Sequence, residues 1–252
     1  MPNIARPDVV YVEDRLRSLA FAVFGLCLAA TLPAAAYAQT HFAIVDGSVR
    51  QFDQTGQSRT LDVGGNCADL WVSPNMASIA FIAVNRARQV PAVIPGLNAP
   101  VVERSSIYYA SKADNFKPTL AVSRSFMVDG RSWETVRNPS VSPDGGSLFF
   151  TIPYTMTTQR AMRLSLASGR YEDLGDTTNY CVIWGGPMSG RLILQGRHIP
   201  ESSRDGITYR CYLRDARGQI EEISDECSSM RSFADSWTHA HGGECKIAGE
   251  QE

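Results

Sequence analysis

Hydrophobic residues in this chain alternate with polar ones over short stretches, and clusters of Gly, Pro, Asn, Asp and Ser separate the stretches. That is the pattern of antiparallel strands joined by tight turns. The clearest instance is Asn138-Pro-Ser-Val-Ser-Pro-Asp-Gly-Gly-Ser-Leu-Phe-Phe-Thr151, a strand, a turn and a second strand. The pattern recurs in Asp69-Leu-Trp-Val-Ser-Pro-Asn-Met-Ala-Ser-Ile-Ala-Phe-Ile-Ala83 and in Val182-Ile-Trp-Gly-Gly-Pro-Met-Ser-Gly-Arg-Leu-Ile-Leu194. Its weakest copy is Asp235-Ser-Trp-Thr-His-Ala-His-Gly-Gly-Glu-Cys-Lys-Ile247, which keeps the Trp and the paired glycines but no proline. Repetition of a strand-rich unit predicts sheets arranged radially, a small β-propeller.

Further alternating segments fill the units. Phe42 to Val49 and Arg59 to Val63 read as an N-terminal hairpin; Ser106 to Ala110 and Thr119 to Ser123 complete the unit around Pro74. Ser125 to Val128 and Trp133 to Val136 flank the turn dipeptide Asp129-Gly130. Ala161 to Leu166 and Tyr171 to Leu174 complete the third unit, and Thr208 to Leu213 and Gln219 to Ile223 the fourth. The stretch Val90-Pro-Ala-Val-Ile-Pro-Gly-Leu-Asn-Ala-Pro100 is too rich in proline for a ladder and is expected to be a loop insertion.

The expected architecture is all-β with four blades. The C-terminal copy supplies inner strands without outer ones and the N-terminal hairpin the reverse. Pairing Phe42 to Val63 with Ser232 to Ile247 would therefore close the ring and leave no sheet edge open. The alternative is a fragment of a larger propeller with exposed edges.

The segment Pro139-Ser-Val-Ser-Pro-Asp-Gly-Gly-Ser-Leu-Phe-Phe-Thr151 resembles the repeat of the TolB-like propellers, a WD-like repeat family, and the copy around Pro74 is a second match. The resemblance implies that the first strand of each unit lies toward the ring axis and that Ser-Pro-Asp-Gly makes the turn to the second. There Pro pre-sets φ, Gly accepts positive φ and Asp bonds nearby backbone, so the motif is structural. The family includes a periplasmic partner of the Tol-Pal envelope system. This chain has too few repeats for six blades and no room for an N-terminal α/β domain, so that partner is not carried over.

Arg15 and Arg17 precede an apolar run from Leu19 to Leu32 that ends at Ala36-Tyr37-Ala38. Residues 1–38 read as a secretory signal peptide and 39–252 as a single propeller domain. The run of about fourteen apolar residues is short for a membrane anchor, and no other spanning stretch follows. The formal charge of −2 argues against a nucleic-acid partner. The near-absence of lysine, limited to Lys112, Lys117 and Lys246, suggests a GC-rich bacterial source, hence a periplasmic or secreted protein. Five cysteines follow the leader: Cys67, Cys181, Cys211, Cys227 and Cys245. In an oxidising compartment one or two disulfides are expected, with connectivity open.

Candidate chemistry is sparse. Strand alternation would put Asp69 beside Trp71 and Asp235 beside Trp237. The two carboxylates at a channel could then act as acid and base or nucleophile on a carbohydrate or lactone. The bland account is aspartates at strand starts. Trp71, Trp184 and Trp237 recur in phase and read as packing residues. His239 and His241, with Glu244 and Cys245 nearby, are weak metal candidates. There is no Gly-x-Ser-x-Gly elbow and no phosphate-cradling loop, and no cofactor is implied. The expected function is a non-enzymatic module that binds a periplasmic or cell-envelope protein. Its recognition surface would be the insertion, with Pro91, Ile94, Pro95 and Leu97 as contacts. A small hydrolase working through Asp69 and Asp235 is the alternative.

Overall fold

The Ser-Pro turns organise the fold through their own side chains. In the computed structural model, which describes residues 40–86, 103–128, 130–155, 158–199 and 206–247, Ser142 Oγ donates to the Asp144 carboxylate and accepts the Ser147 N–H at 2.9 Å. Asp144 Oδ1 accepts the Gly146 N–H at 2.9 Å. One turn earlier, Ser73 Oγ accepts the N–H groups of Ala77 and Ser78, both at 2.9 Å. Met76 there holds the positive φ (55°) that Gly145 holds (69°) in the later copy. The motif's role is thus structural, as the turn chemistry requires.

Four antiparallel sheets follow in chain order. The first contains β1 (His41–Val45), β2 (Ser48–Phe52) and β3 (Ser58–Leu61). The second contains β4 (Asn66–Val72), β5 (Ser78–Arg86), β6 (Glu103–Ser111) and β7 (Thr119–Val122). A separate hairpin, β8 (Phe126–Val128) and β9 (Arg131–Trp133), leads to the third sheet. The third is β10 (Arg137–Val141), β11 (Ser147–Pro153), β12 (Gln159–Ser165) and β13 (Tyr171–Thr177). The fourth is β14 (Asn179–Trp184), β15 (Leu192–His198), β16 (Thr208–Arg214) and β17 (Ile220–Ser224). An α-helix, α1 (Met230–Ala240), and β18 (Glu244–Ile247) complete the described chain.

Alternation along the strands gives the second, third and fourth sheets two apolar faces and the first sheet one, and the sheets stack through them. Val49 and Leu61 of the first sheet pack with Ile79 and Phe81 on one face of the second. Trp71, Ala80 and Ile82 on its other face join Leu148, Phe150 and Met162 of the third sheet. The same core takes in Tyr180, Val182 and Leu194 of the fourth. The inner strands converge, for β10 touches both β4 and β14, and the Trp71 and Trp184 rings lie 5.8 Å apart.

The C-terminal segment departs from expectation. The segment ahead of Ala240, expected to supply an inner strand, is helical: Ser229 caps α1 by accepting the Ser232 N–H, and Met230, Ala234 and Thr238 are buried along one side. The helix covers the face of the fourth sheet opposite the shared core. There Met230 and Ala234 meet Ile183, Ile193 and Leu213, with Phe233 and Trp237 packed alongside. The expected pairing of Phe42 to Val63 with Ser232 to Ile247 is absent among the described residues. β18 instead extends the fourth sheet, lying antiparallel to β14 with Cys245 opposite Ile183, while β1 to β3 pair only with one another. Two disulfides hold this arrangement, Cys181–Cys245 and Cys211–Cys227, with Cα separations of 5.8 and 5.6 Å. Cys67 is a buried free thiol. The N-terminal hairpin also differs, because Asp46-Gly47, both at positive φ, breaks Phe42 to Val49 into β1 and β2.

Candidate functional site

A concavity of about 630 Å³ lies between the third and fourth sheets, at the end where Ser142-Pro143-Asp144 turns. Its position follows from the repeat. Both the first-to-second and the third-to-fourth strand turns of the third and fourth sheets fall at this end, so side chains from two neighbouring sheets face one gap.

Four arginines line the cleft: Arg163, Arg191, Arg214 and Arg217. Glu172 of β13 binds two of them, pairing with Arg163 of its own sheet and with Arg214 Nη2 across the gap at 3.1 Å. Arg214 also donates to the Leu174 carbonyl at 3.1 Å, and its side chain is 13% exposed. This link joins the third and fourth sheets across the cleft. Among the described residues no ion pair engages Arg191, beside the β14–β15 turn, or Arg217, in the β16–β17 turn. Asp144 at the rim is held below the ordinary carboxylate range by the Ser142 hydroxyl and the Gly146 N–H. It therefore stays ionised as part of its turn. The cleft thus offers two unpaired guanidiniums on a rigid, partly apolar floor that includes Phe149 and Leu192.

A smaller cavity of about 230 Å³ lies by the β8–β9 hairpin, next to Trp133 and Arg160. Its guanidinium is occupied: Arg160 sits 4.1 Å over the Tyr154 ring and pairs with Asp173 and Asp176.

Asp69 stands in β4 at positive φ (48°). Burial pushes its carboxyl up, opposed by the Asn138 N–H and by Arg137. Asp235 lies exposed on α1, the element that covers the far face of the fourth sheet, so the alternation that paired it with Trp237 does not apply. His239 is exposed on the last turn of α1. His241 caps the helix end, its Nδ1 2.7 Å from the Trp237 carbonyl and its ring stacked on that indole at 4.0 Å. Cys245 is taken by its disulfide, and among the described residues no group of three or more His, Cys, Asp or Glu could hold a metal ion. Trp71 and Trp184 are buried packing residues whose indole N–H groups find no acceptor among the described residues. Pro91, Ile94, Pro95 and Leu97 lie outside the described residues. No helix of the described residues is long and apolar enough to cross a membrane.

Sequence reading missed the cleft arginines, because Arg191, Arg214 and Arg217 come together only through the pairing of the fourth sheet, and meet Arg163 only when the third and fourth sheets stack. The one local signal was Asp215-Ala-Arg-Gly218, which reads as an outer turn and places Arg217 at its tip.

No family model matches this chain, and no curated protein matches it. Solved structures similar to it include β-propeller domains. One is that of the Trilobed protease from Pyrococcus furiosus, described as having an open velcro topology: TM-score 0.47 and 12% identity over 71% of this chain and 49% of that one. TolB from Acinetobacter baumannii gives a TM-score of 0.41 and 16% identity over 70% of this chain and 37% of that one. The tricorn protease gives 0.47 and 12% over 71% and 15%. The chain thus spans half or less of the length of each of these structures.

Proposed function

We propose that this chain is an exported, non-enzymatic binding module. It is an open arc of four TolB-like blades whose cleft receives an acidic segment of a periplasmic or cell-envelope protein. The observation that carries the reading is the pair Arg191 and Arg217, two guanidiniums without carboxylate partners in a cleft crossed by the Arg163–Glu172–Arg214 link. The blade reading is supported by four sheets in chain order, inner strands that converge, and Ser-Pro turns at matching places. Export is supported by two disulfides, which persist in oxidising compartments, and by the leader-like residues 1–38.

A carboxylate that meets an unpaired arginine in a partly dry cleft gains a charge-assisted hydrogen bond worth about 1.5–3 kcal/mol. The test is fluorescence anisotropy with labelled acidic and neutral dodecapeptides of equal length. The parent should prefer the acidic peptide, and Arg191→Ala/Arg217→Ala should weaken its binding by tenfold or more at physiological salt. Equal binding of the two peptides, or no loss in the double variant, would remove the cleft as the ligand site. The segment with Pro91, Ile94, Pro95 and Leu97 joins β5 to β6, and those strands meet it at the end opposite the cleft. We propose it as a second contact, whose deletion should weaken capture of a full-length partner while leaving peptide affinity and thermal stability unchanged.

A further inference from the structure

Three of the four sheets contain a full set of four consecutive strands, and the first contains three. Strand direction identifies the missing one. In each complete sheet the first strand runs toward the cleft end and the second runs back. The β1–β2 turn lies at the other end, where first strands begin, because the Gly47 carbonyl accepts the N–H of Cys67 near the start of β4 at 2.7 Å. β1 therefore runs as a second strand does. The place held elsewhere by β4, β10 and β14 lies beside β1, and no described residue fills it, since β18 pairs with β14.

The edge so left has three properties of a strand acceptor. It is uncharged, His41-Phe-Ala-Ile-Val45, without the Lys, Glu or Pro that normally blunts an edge; β18, by contrast, has Glu244 and Lys246. In a ladder closed by the two-residue Asp46-Gly47 turn, residues Val45 and Ser48 form the closing pair, so the N–H and C=O groups of Phe42 and Ile44 point away from β2. Finally, Leu70 and Val72 of β4 are only half-buried against the core of the first two sheets. In the corresponding strand of the fourth sheet Val182, Ile183 and Trp184 are buried.

We infer that the β1 edge binds an extended, uncharged segment of a partner protein that adds antiparallel to β1 as the missing innermost strand. Its alternate apolar side chains cover Leu70 and Val72. This rests on the reading of the chain as a binding module but not on the cleft, so Arg191→Ala/Arg217→Ala leaves it unchanged.

The probe is a labelled, blocked peptide, Thr-Val-Thr-Val-Thr-Val-Thr, followed by anisotropy on the full chain. Ile44→Pro removes the outward N–H while sparing the β1–β2 ladder, and Ile44→Ala controls for the lost side chain. The proline variant should bind at least tenfold more weakly than the alanine variant. If it fails to fold, the same loss should follow when alternate peptide nitrogens are methylated. Equal binding in these comparisons overturns the inference. So does protection of the Phe42 and Ile44 amides from hydrogen exchange in the chain alone, which would mean the edge is already covered. A dimer in sedimentation that Ile44→Pro dissolves would assign the edge to a second copy and overturn the partner strand.

Discussion

Asp69 and Asn138 hold the same place in the inner strands of neighbouring sheets, β4 and β10, and the Asn138 N–H favours the ionised form of the Asp69 carboxyl against its burial. Each stands five positions before its turn proline. Each has a positive φ, 48° for Asp69 and 51° for Asn138, at a shift in the register of its inner strand. Position 69 is therefore a bulge position first and a carboxylate second.

Burial raises the Asp69 carboxyl above its ordinary value, so the folded state holds that proton more tightly than the unfolded chain does. The resulting stability is fully present below the unfolded pKa and is lost as pH rises through the folded one. Asp69→Asn keeps the tolerance for positive φ and removes the buried charge. The variant should melt higher than the parent at neutral pH, with the difference vanishing below about pH 4. Melting curves against pH check this.

The Tyr180 hydroxyl is fully buried and donates to the Asn138 carbonyl, so at 3.1 Å Ser140 Oγ is left to donate to it. Tyr180→Phe strands both groups beneath the third and fourth sheets and should cost about 1–3 kcal/mol. Urea unfolding measures it, with the m-value unchanged.

The Cys181–Cys245 and Cys211–Cys227 bridges span 64 and 16 residues, worth about 4 and 3 kcal/mol by loop entropy. Replacing Cys181 and Cys245 by Ser should lower stability by up to about 4 kcal/mol. It should also release α1 and β18, baring Ile193 and Leu213. A rise in binding of a hydrophobic dye before global unfolding reports the release.

Gly186 has a φ of +64°, and a Cβ there would lie 2.7 Å from the Gly242 carbonyl oxygen and 2.8 Å from that of His241. Both neighbours are backbone and cannot swing away. Gly186→Ala should destabilise by about 1–3 kcal/mol and speed amide exchange in β18. Gly190→Ala, at φ +84° with nothing within 4 Å, bears only the conformational cost, about 1–2 kcal/mol, and leaves β18 protected.

Much of the strand layout was legible because period-two alternation and turn chemistry are local. The units around Pro74, Pro143 and Pro187, the hairpin near Asp129 and the packing role of Trp71 and Trp184 all rest on residues a few positions apart. The C-terminal helix was legible as well, since Met230, Phe233, Ala234 and Trp237 follow helical spacing behind a Ser cap. Matching Trp237 and Gly242-Gly243 to the repeat hid that period. The Asp-Gly between β1 and β2 is likewise a strong hairpin signal set inside an apolar stretch that otherwise reads as one strand.

By itself, the sequence determined the element type, the turn geometry and the repetition, because each follows from side chains within one or two turns of one another. Only tertiary structure decided that the C-terminal segment caps the fourth sheet instead of completing the first, and that Arg191 and Arg217 share a cleft. Both depend on which apolar face or open edge meets which partner across the stacked sheets. Alternation marks a face as apolar without naming what will cover it.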